Sequence, residues 1–262
     1  MRWLHEEKGC KLNRYHTGEW AGLGGSVDVF EYLLGKGYEF DTWACYAAAR
    51  GGHVKALKFL RSQDPSCPWN VITCGHAAQG GSLEALKWLR DQDPPCPWGE
   101  SVCTSAAKVG HLEVLKWLRA KDPPCPWGES TCYDAAKGGQ LEVLKWLRAQ
   151  KPPCPWSEGA CAYAARGGHL EVLKWLRAQD PPCPWNAETC CEAVGGGHLE
   201  ILKWARDQDP PCPWSRRQCR GLASQIIRMG WDGDEDIVEW IDQREDESDT
   251  ENLQYSDNDD VW

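Results

Sequence analysis

The residues that could do chemistry in this chain are its cysteines, histidines and tryptophans, and all three recur at fixed intervals. Six Cys-Pro-Trp tripeptides place Trp69, Trp98, Trp127, Trp156, Trp185 and Trp214 at steps of 29 residues. A second cysteine follows each one, giving Cys67/Cys74, Cys96/Cys103, Cys125/Cys132, Cys154/Cys161, Cys183/Cys190 and Cys212/Cys219. Thiol pairs can hold zinc, close disulfides or, as Cys-Pro, bind haem. Structural zinc takes cysteines about two to four residues apart, held tetrahedrally, whereas six residues including Pro and Trp intervene here. A cysteine repeated in every unit suits a small buried hydrophobe first, redox or disulfide chemistry second, and metal or haem third. No metal and no cofactor is therefore expected.

His53, His111, His169 and His198 occupy one slot, which Ser82 and Gln140 also fill. A catalytic dyad or triad needs one distinctive constellation, and the same group repeated along a chain is not one. Neither a Gly-rich phosphate loop nor a metalloprotease motif is present. The chain is expected to be no enzyme, with no catalytic residue, and the histidine slot to hydrogen-bond its turn or the next repeat's loop. Of the 17 tryptophans, six fill the tripeptide slot, and Trp88, Trp117, Trp146, Trp175 and Trp204 fill a second slot. Such rings are expected to interlock as a core ladder, with exposed anchors for a partner as the lesser reading.

A fixed period of this length is the signature of a repeat array. Each unit carries two helical patterns. The first begins after Asn70, Gly99, Gly128, Ser157, Asn186 or Ser215, residues suited to an N-cap, and passes through Cys132, Ala135 and Ala136 to glycine. The second spans Leu141 to about Ala149, with Leu141, Val143, Leu144 and Leu147 on one face and Glu142–Lys145 on the wet side. Pro-Pro ends it, because proline cannot continue a helix. Two worn units come first. Trp3, Tyr32 and Phe59 fill the second-helix Trp slot, while Cys10, Leu12, Thr17 and then Tyr38, Phe40, Cys45 fill the Cys, Trp and Cys slots. The pattern predicts eight first helices and nine second helices, the chain starting inside a second helix.

The last unit departs. An acidic helix over Glu235–Gln243 sets Trp240 36 residues after Trp204, as suits a wettable cap. Residues 1–243 are thus expected to form an orphan N-terminal helix and eight helix pairs, the last an atypical cap, and 244–262 an acidic disordered tail. Of the formal charge of −10, residues 232–262 carry −13, which leaves +3 on the rest. No strongly basic face is available for nucleic acid. Without an export signal or a long apolar span, thiols in a reducing compartment are expected, in the cytoplasm or the nucleus. A monomer that contacts neither nucleic acid nor membrane is the expected state.

The run Ala164-Ala165-Arg166-Gly167-Gly168-His169-Leu170-Glu171-Val172-Leu173 resembles the second half of an ankyrin repeat, and six good copies carry the likeness through most of residues 1–243. It looks like the short Cys-Pro-Trp-containing ankyrin-like repeats found in some protists and large DNA viruses. The usual ankyrin period is about 33 residues, and Ser130-Thr131-Cys132-Tyr133 stands where Thr-Pro-Leu-His would. The missing residues are those that build β-hairpin fingers. The resemblance therefore implies an all-α fold, an α-solenoid of stacked helix-turn-helix repeats with short connectors in place of full hairpins. It also implies a scaffold or adaptor that binds an unnamed partner protein on the concave face of the first helices. The tetratricopeptide type, at about 34 residues, does not match in motif.

Function should lie where the copies differ. After each tripeptide the pairs Val71-Ile72, Glu100-Ser101, Glu129-Ser130, Glu158-Gly159, Ala187-Glu188 and Arg216-Arg217 scatter. After the helix cysteine, Gly75-His76, Thr104-Ser105, Tyr133-Asp134, Ala162-Tyr163, Cys191-Glu192 and Arg220-Gly221 scatter too. The candidates for partner contact are Glu100, Thr104, Ser105, Glu129, Tyr133, Asp134, Glu158, Tyr163, Glu188, Glu192, Arg216, Arg217 and Arg220. Drift at solvent-exposed sites gives the same scatter. The acidic tail could mask Arg216, Arg217 and Arg220. Two rival functions are a redox, metal or haem protein built on the cysteines, and a truncated, non-functional member of a large repeat family.

Overall fold

Proline and glycine punctuate the chain where the sequence predicts. The computed structural model describes residues 16–228 and 235–244. The expected orphan helix around Trp3, with Cys10 and Leu12, and the acidic tail from 245 lie outside those residues. The first helices are α1 (Thr17–Gly24), α3 (Thr42–Arg50), α5 (Val71–Gln79), α7 (Glu100–Val109), α9 (Glu129–Lys137), α11 (Glu158–Arg166), α13 (Ala187–Gly195) and α15 (Arg216–Arg228). The second helices are α2 (Val27–Gly35), α4 (Val54–Arg61), α6 (Leu83–Arg90), α8 (Leu112–Arg119), α10 (Leu141–Ala149), α12 (Leu170–Arg177), α14 (Leu199–Arg206) and α16 (Glu235–Asp242). Among the described residues there is no strand. The fold is an all-α helical repeat with short connectors where hairpins would stand.

Local chemistry sets the boundaries. Asn70 accepts from the Ile72 amide at 2.9 Å while Thr73 Oγ1 accepts from the Asn70 amide at 3.1 Å, a reciprocal cap for the orphan N–H groups of α5. Asn186 makes the first of these two bonds at α13, accepting from the Glu188 amide at 3.0 Å, while Thr189 Oγ1 is buried without a partner. Between the helices of a pair, glycines such as Gly81 (φ +69°) adopt the left-handed conformation that side chains resist. After each second helix from α4 to α14 the connector cysteine folds back, its amide donating to the last core residue of the helix, as Cys125 does to Leu118 at 3.1 Å. In each of these connectors the first X-Pro bond, from Asp64-Pro65 to Asp209-Pro210, is cis.

Contacts gather the chain into two units, residues 1–135 with 142–154, and residues 136–141 with 155–262. Within the first, α1 packs on α3, α3 on α5 and α5 on α7, while α2 packs on α4 and α4 on α6. Within the second, α11 packs on α13, α13 on α15, and α15 on α16. First helices approach closely because alanine or glycine stands between them. A Cβ on Gly22 would lie 2.6 Å from the Ala44 carbonyl oxygen, and Ala77, Ala78, Ala106 and Ala107 are fully buried. Leu86, Leu89, Leu115, Leu118, Leu144, Leu147, Leu173 and Leu176 fill the space between the helices, each worth about 1.5–3 kcal/mol of burial.

The tryptophans depart from the expected core ladder. They form discrete edge-to-face pairs, such as Trp69–Trp88 at 5.9 Å and Trp156–Trp175 at 6.1 Å between ring centroids. Every ring in these pairs is half-buried. The sealed interior belongs to alanine, cysteine and leucine, because helices held this close leave no room for indole.

Candidate functional site

The cysteines are best placed by their partners. Sequence proximity pairs Cys67 with Cys74, but the fold pairs the first-helix cysteines Cys45, Cys74, Cys103, Cys132, Cys161 and Cys190 each with the connector cysteine 22 residues further on. Cys45 Sγ donates to Cys67 Sγ at 3.0 Å, and Cys67 Sγ donates to the Asp41 carbonyl at 3.0 Å. Cys45, Cys74, Cys103, Cys132 and Cys161 reach the carbonyls of Cys67, Cys96, Cys125, Cys154 and Cys183 at 3.8–4.0 Å. The connector thiols in turn donate to the carbonyl that opens the first helix of the same pair, as Cys125 does to Gly99 at 3.4 Å. Hydrogen bonding to the partner and then burial push the Cys45, Cys74, Cys103, Cys161 and Cys190 thiols far up from their ordinary range. These are protonated packing groups. Among the described residues no three His, Cys, Asp or Glu side chains are grouped to hold a metal ion.

The sequence predicts that the histidine slot bonds its own turn or the next repeat's loop; Gln140 does bond its own turn, at the Gly138 carbonyl, 2.8 Å, whereas the histidines couple to the preceding repeat. His53 Nε2 meets the Leu23 carbonyl at 2.8 Å, His111 that of Gln79 at 3.1 Å, His169 that of Lys137 at 3.0 Å and His198 that of Arg166 at 3.2 Å. Each ring supplies a donor to an otherwise open carbonyl at the end of a first helix. A second recurring device is an arginine ending the second helix. Arg119 donates to the Cys125 carbonyl at 2.7 Å and stacks 4.0 Å over Trp127; Arg61, Arg90 and Arg177 do the same over Trp69, Trp98 and Trp185. The conspicuous residues therefore serve the frame.

The candidates sort by unit. In the first, Glu100 on α7 accepts from Ser130 on α9, and the Ser130 hydroxyl lies 3.3 Å from that of Thr104. Tyr133 donates to Glu129 one turn earlier. Thr104, Ser105 and Asp134 line a cleft of about 240 Å³ that opens on α5 between Ile72 and His76. His76 stacks on Tyr46 at 5.2 Å, and Tyr46 meets Trp43 edge-on at 5.6 Å. Trp43 and Ile72 are half exposed, at 51% and 49%. Burial, followed by the Arg50 charge, holds His76 below its ordinary value. Its Nδ1 is buried without a hydrogen-bond partner.

In the second unit Lys137 lies 5.5 Å over the Tyr163 ring, and Arg166 pairs with Glu192 at 2.8 Å. Glu158, Glu188 and Arg217 are exposed on α11, α13 and α15. Arg216 donates to the Ile241 and Asp242 carbonyls at 3.1 and 2.9 Å, while Arg220 grips the Asp242 carboxylate at 2.5 and 3.1 Å. The Arg220 hydrogen bond holds the Asp242 carboxyl below its ordinary range. The acid that engages these two arginines belongs to the cap helix α16, and the two side chains fasten α15 to α16. His76, Ser130, Lys137 and Arg166 were not among the candidates. Ser130 and His76 stand in the scattering slots, and Lys137 and Arg166 share a basic slot with Arg50 and Lys108, so all four were open to the same comparison.

A family model described as "Ankyrin repeats (many copies)" matches residues 132–177. No curated protein sequence matches the chain. Among solved structures, the human ASB11 ankyrin repeat domain is similar at 17% identity and a TM-score of 0.39, covering 60% of this chain and 80% of that one. The maize pentatricopeptide repeat protein PPR10 is similar at 16% identity and a TM-score of 0.34, covering 86% of this chain and 38% of that one. PPR10 bound to an 18-nt psaJ RNA element gives 12% identity and a TM-score of 0.42, covering 85% and 39%. This chain thus spans well under half the length of PPR10. The match over residues 132–177 falls on α9 to α12 with their linking turns, so these two helix pairs match the ankyrin-repeat family model.

Proposed function

We propose that the chain is a non-enzymatic interaction module that binds a partner protein through the exposed slots of its first helices. Ankyrin repeats generally mediate protein–protein contact and are typically not catalytic. The observation that carries the reading is a division of labour within one repeated unit. Cysteine, histidine, arginine and tryptophan are spent on contacts inside the frame, whereas Glu100, Thr104, Ser105, Glu129, Tyr133 and Asp134 sit on α7 and α9 at slots that change from copy to copy. Carboxylates outnumber cations among them, which favours a protein over a phosphate backbone. The half-exposed Trp43 and Ile72 beside the α5–α7 cleft add the apolar anchors that protein contacts concentrate. Protonated, hydrogen-bonded thiols suit a reducing compartment, and we place the chain in the cytoplasm or nucleus.

The test is a quadruple variant, Tyr133→Ala with Asp134→Ala, Tyr163→Ala and Glu192→Ala, compared with the intact chain in an affinity pull-down read by mass spectrometry. Unchanged helical circular dichroism with recovery of the specific partner reduced by about tenfold, about 1.4 kcal/mol, is expected. Equal recovery of the same partners would sink the assignment of the first-helix slots.

A further inference from the structure

One repeat carries a thiol outside the frame. Cys191 occupies the variable slot of α13 that holds Thr104, Tyr133 and Ala162 elsewhere. Its Sγ lies 3.7 Å from Cys219 Sγ on α15 and 3.9 Å from Gln218 Oε1. This pair differs from the frame pairs in two respects. Frame pairs such as Cys190/Cys212 tie a first helix to the connector of its own helix pair, whereas Cys191 and Cys219 face each other across two successive first helices. Frame thiols are sealed from solvent, whereas Cys191 is partly exposed beside a fully buried Cys219. Cysteine reactivity requires thiolate character and access together. The hydrogen bond from Cys219 lowers the Cys191 pKa, against burial and the carboxylates of Glu192 and Glu188. Among the described residues neither thiol belongs to a group of three or more side chains that could hold a metal ion, and two thiols this close can be joined by oxidation.

We propose that Cys191 and Cys219 form a redox-sensitive dithiol that closes into a disulfide between α13 and α15 when a low-molecular-weight disulfide is the oxidant. The Cys191 thiolate attacks one sulfur of the small disulfide, forming a mixed disulfide and expelling one small thiolate. Cys219 then gives up its proton and attacks Cys191 Sγ, which forms the protein disulfide and expels the second small thiolate. The protein loses two protons and two electrons, and the small disulfide leaves as two thiols. The sulfurs must close from 3.7 Å to about 2.05 Å, and α13 already packs directly on α15. Closure fixes two neighbouring first helices at a slot the partner reading assigns to contact, so it goes beyond that reading without depending on it.

The test exposes the full native chain to a glutathione redox buffer, traps free thiols with iodoacetamide and maps the peptides by mass spectrometry. A Cys191–Cys219 linked peptide, two hydrogens lighter and reversed by dithiothreitol, is expected while frame cysteines alkylate only after denaturation. Cys191→Ser abolishes the link, and Cys219→Ala leaves Cys191 as a lasting glutathione adduct. Because Cys219 is buried and its variant can fail to fold, native alkylation of the unaltered chain is a second measurement, with Cys191 reacting at least about tenfold faster than any frame thiol. The proposal is overturned if Cys191 in the unaltered chain stays a thiol or stops at the adduct. It is equally overturned if the first disulfide joins a frame pair or two chains, or if Cys191 alkylates no faster than the frame thiols.

Discussion

Arg119 serves two neighbours with one guanidinium: its Nη1 holds the Cys125 carbonyl and its plane covers Trp127. Lysine at that position keeps the charge and loses the planar fork. Arg119→Lys is therefore expected to cost about 1–2 kcal/mol in urea unfolding, and a variant as stable as the parent would remove the guanidinium from the account of the connector. His76 makes a second test at this scale. Burial and Arg50 depress its folded pKa from the ordinary 6.5, so the unfolded chain takes up the proton more readily than the folded one. Its contribution is complete above that value and is lost as pH falls through the depressed folded value. Stability should thus decline as pH falls below the ordinary value, and His76→Gln should flatten that part of the decline; an identical profile for both proteins would exclude His76 as its source. The surface Lys–Glu pairs, such as Lys116–Glu113 at 2.7 Å, are exposed and should contribute little.

Packing of one helix pair on the next depends on backbones meeting without side chains between them. A Cβ on Gly80 would stand 1.8 Å from the Arg50 carbonyl oxygen of the preceding repeat. Gly80→Ala must push α3 and α5 apart and should cost about 1–3 kcal/mol, read as a lower urea midpoint. The equivalent slot shows the alternative. α7 runs on through Val109, whose side chain is 43% exposed, and turns instead at Gly110 (φ +87°). If Gly80→Ala melts like the parent chain, α5 has adopted the α7 ending at no cost and close approach is not the reason for glycine there. The cap follows different rules. Arg216 and Arg220 reach across to the end of α16, so a pair that scatters as if for a partner is spent on holding the last helix in place.

Within each of the two compact units, stability is the sum of like helix pairs, each burying alanine, cysteine and leucine against its neighbours. The far-ultraviolet circular dichroism of the full chain should accordingly be dominated by helix, and a substantial sheet signal would overturn the architecture. Similar frames serve unrelated targets, so what distinguishes this protein from other repeat arrays is the set of side chains on its first helices, from Trp43 and Ile72 through Glu100 and Asp134 to Glu192.

Helix pairs, turns and connectors were legible in the residues themselves, because Pro-Pro, Gly-Gly, an Asn cap and a leucine stripe act within a few residues of where they stand. The slots that vary were legible too, since the chain supplies its own copies for comparison. Pairing was not. Cys67 lies seven positions from Cys74 in sequence yet faces Cys45, and the His53 ring bonds a carbonyl 30 residues earlier. Tryptophan looked like core and proved half-buried, because the depth at which a ring sits is set by how closely helices approach. Local chemistry fixes the shape of one unit; only the stacking of units decides which of its groups meet, which are sealed, and which, like Cys191, are left within reach of solvent.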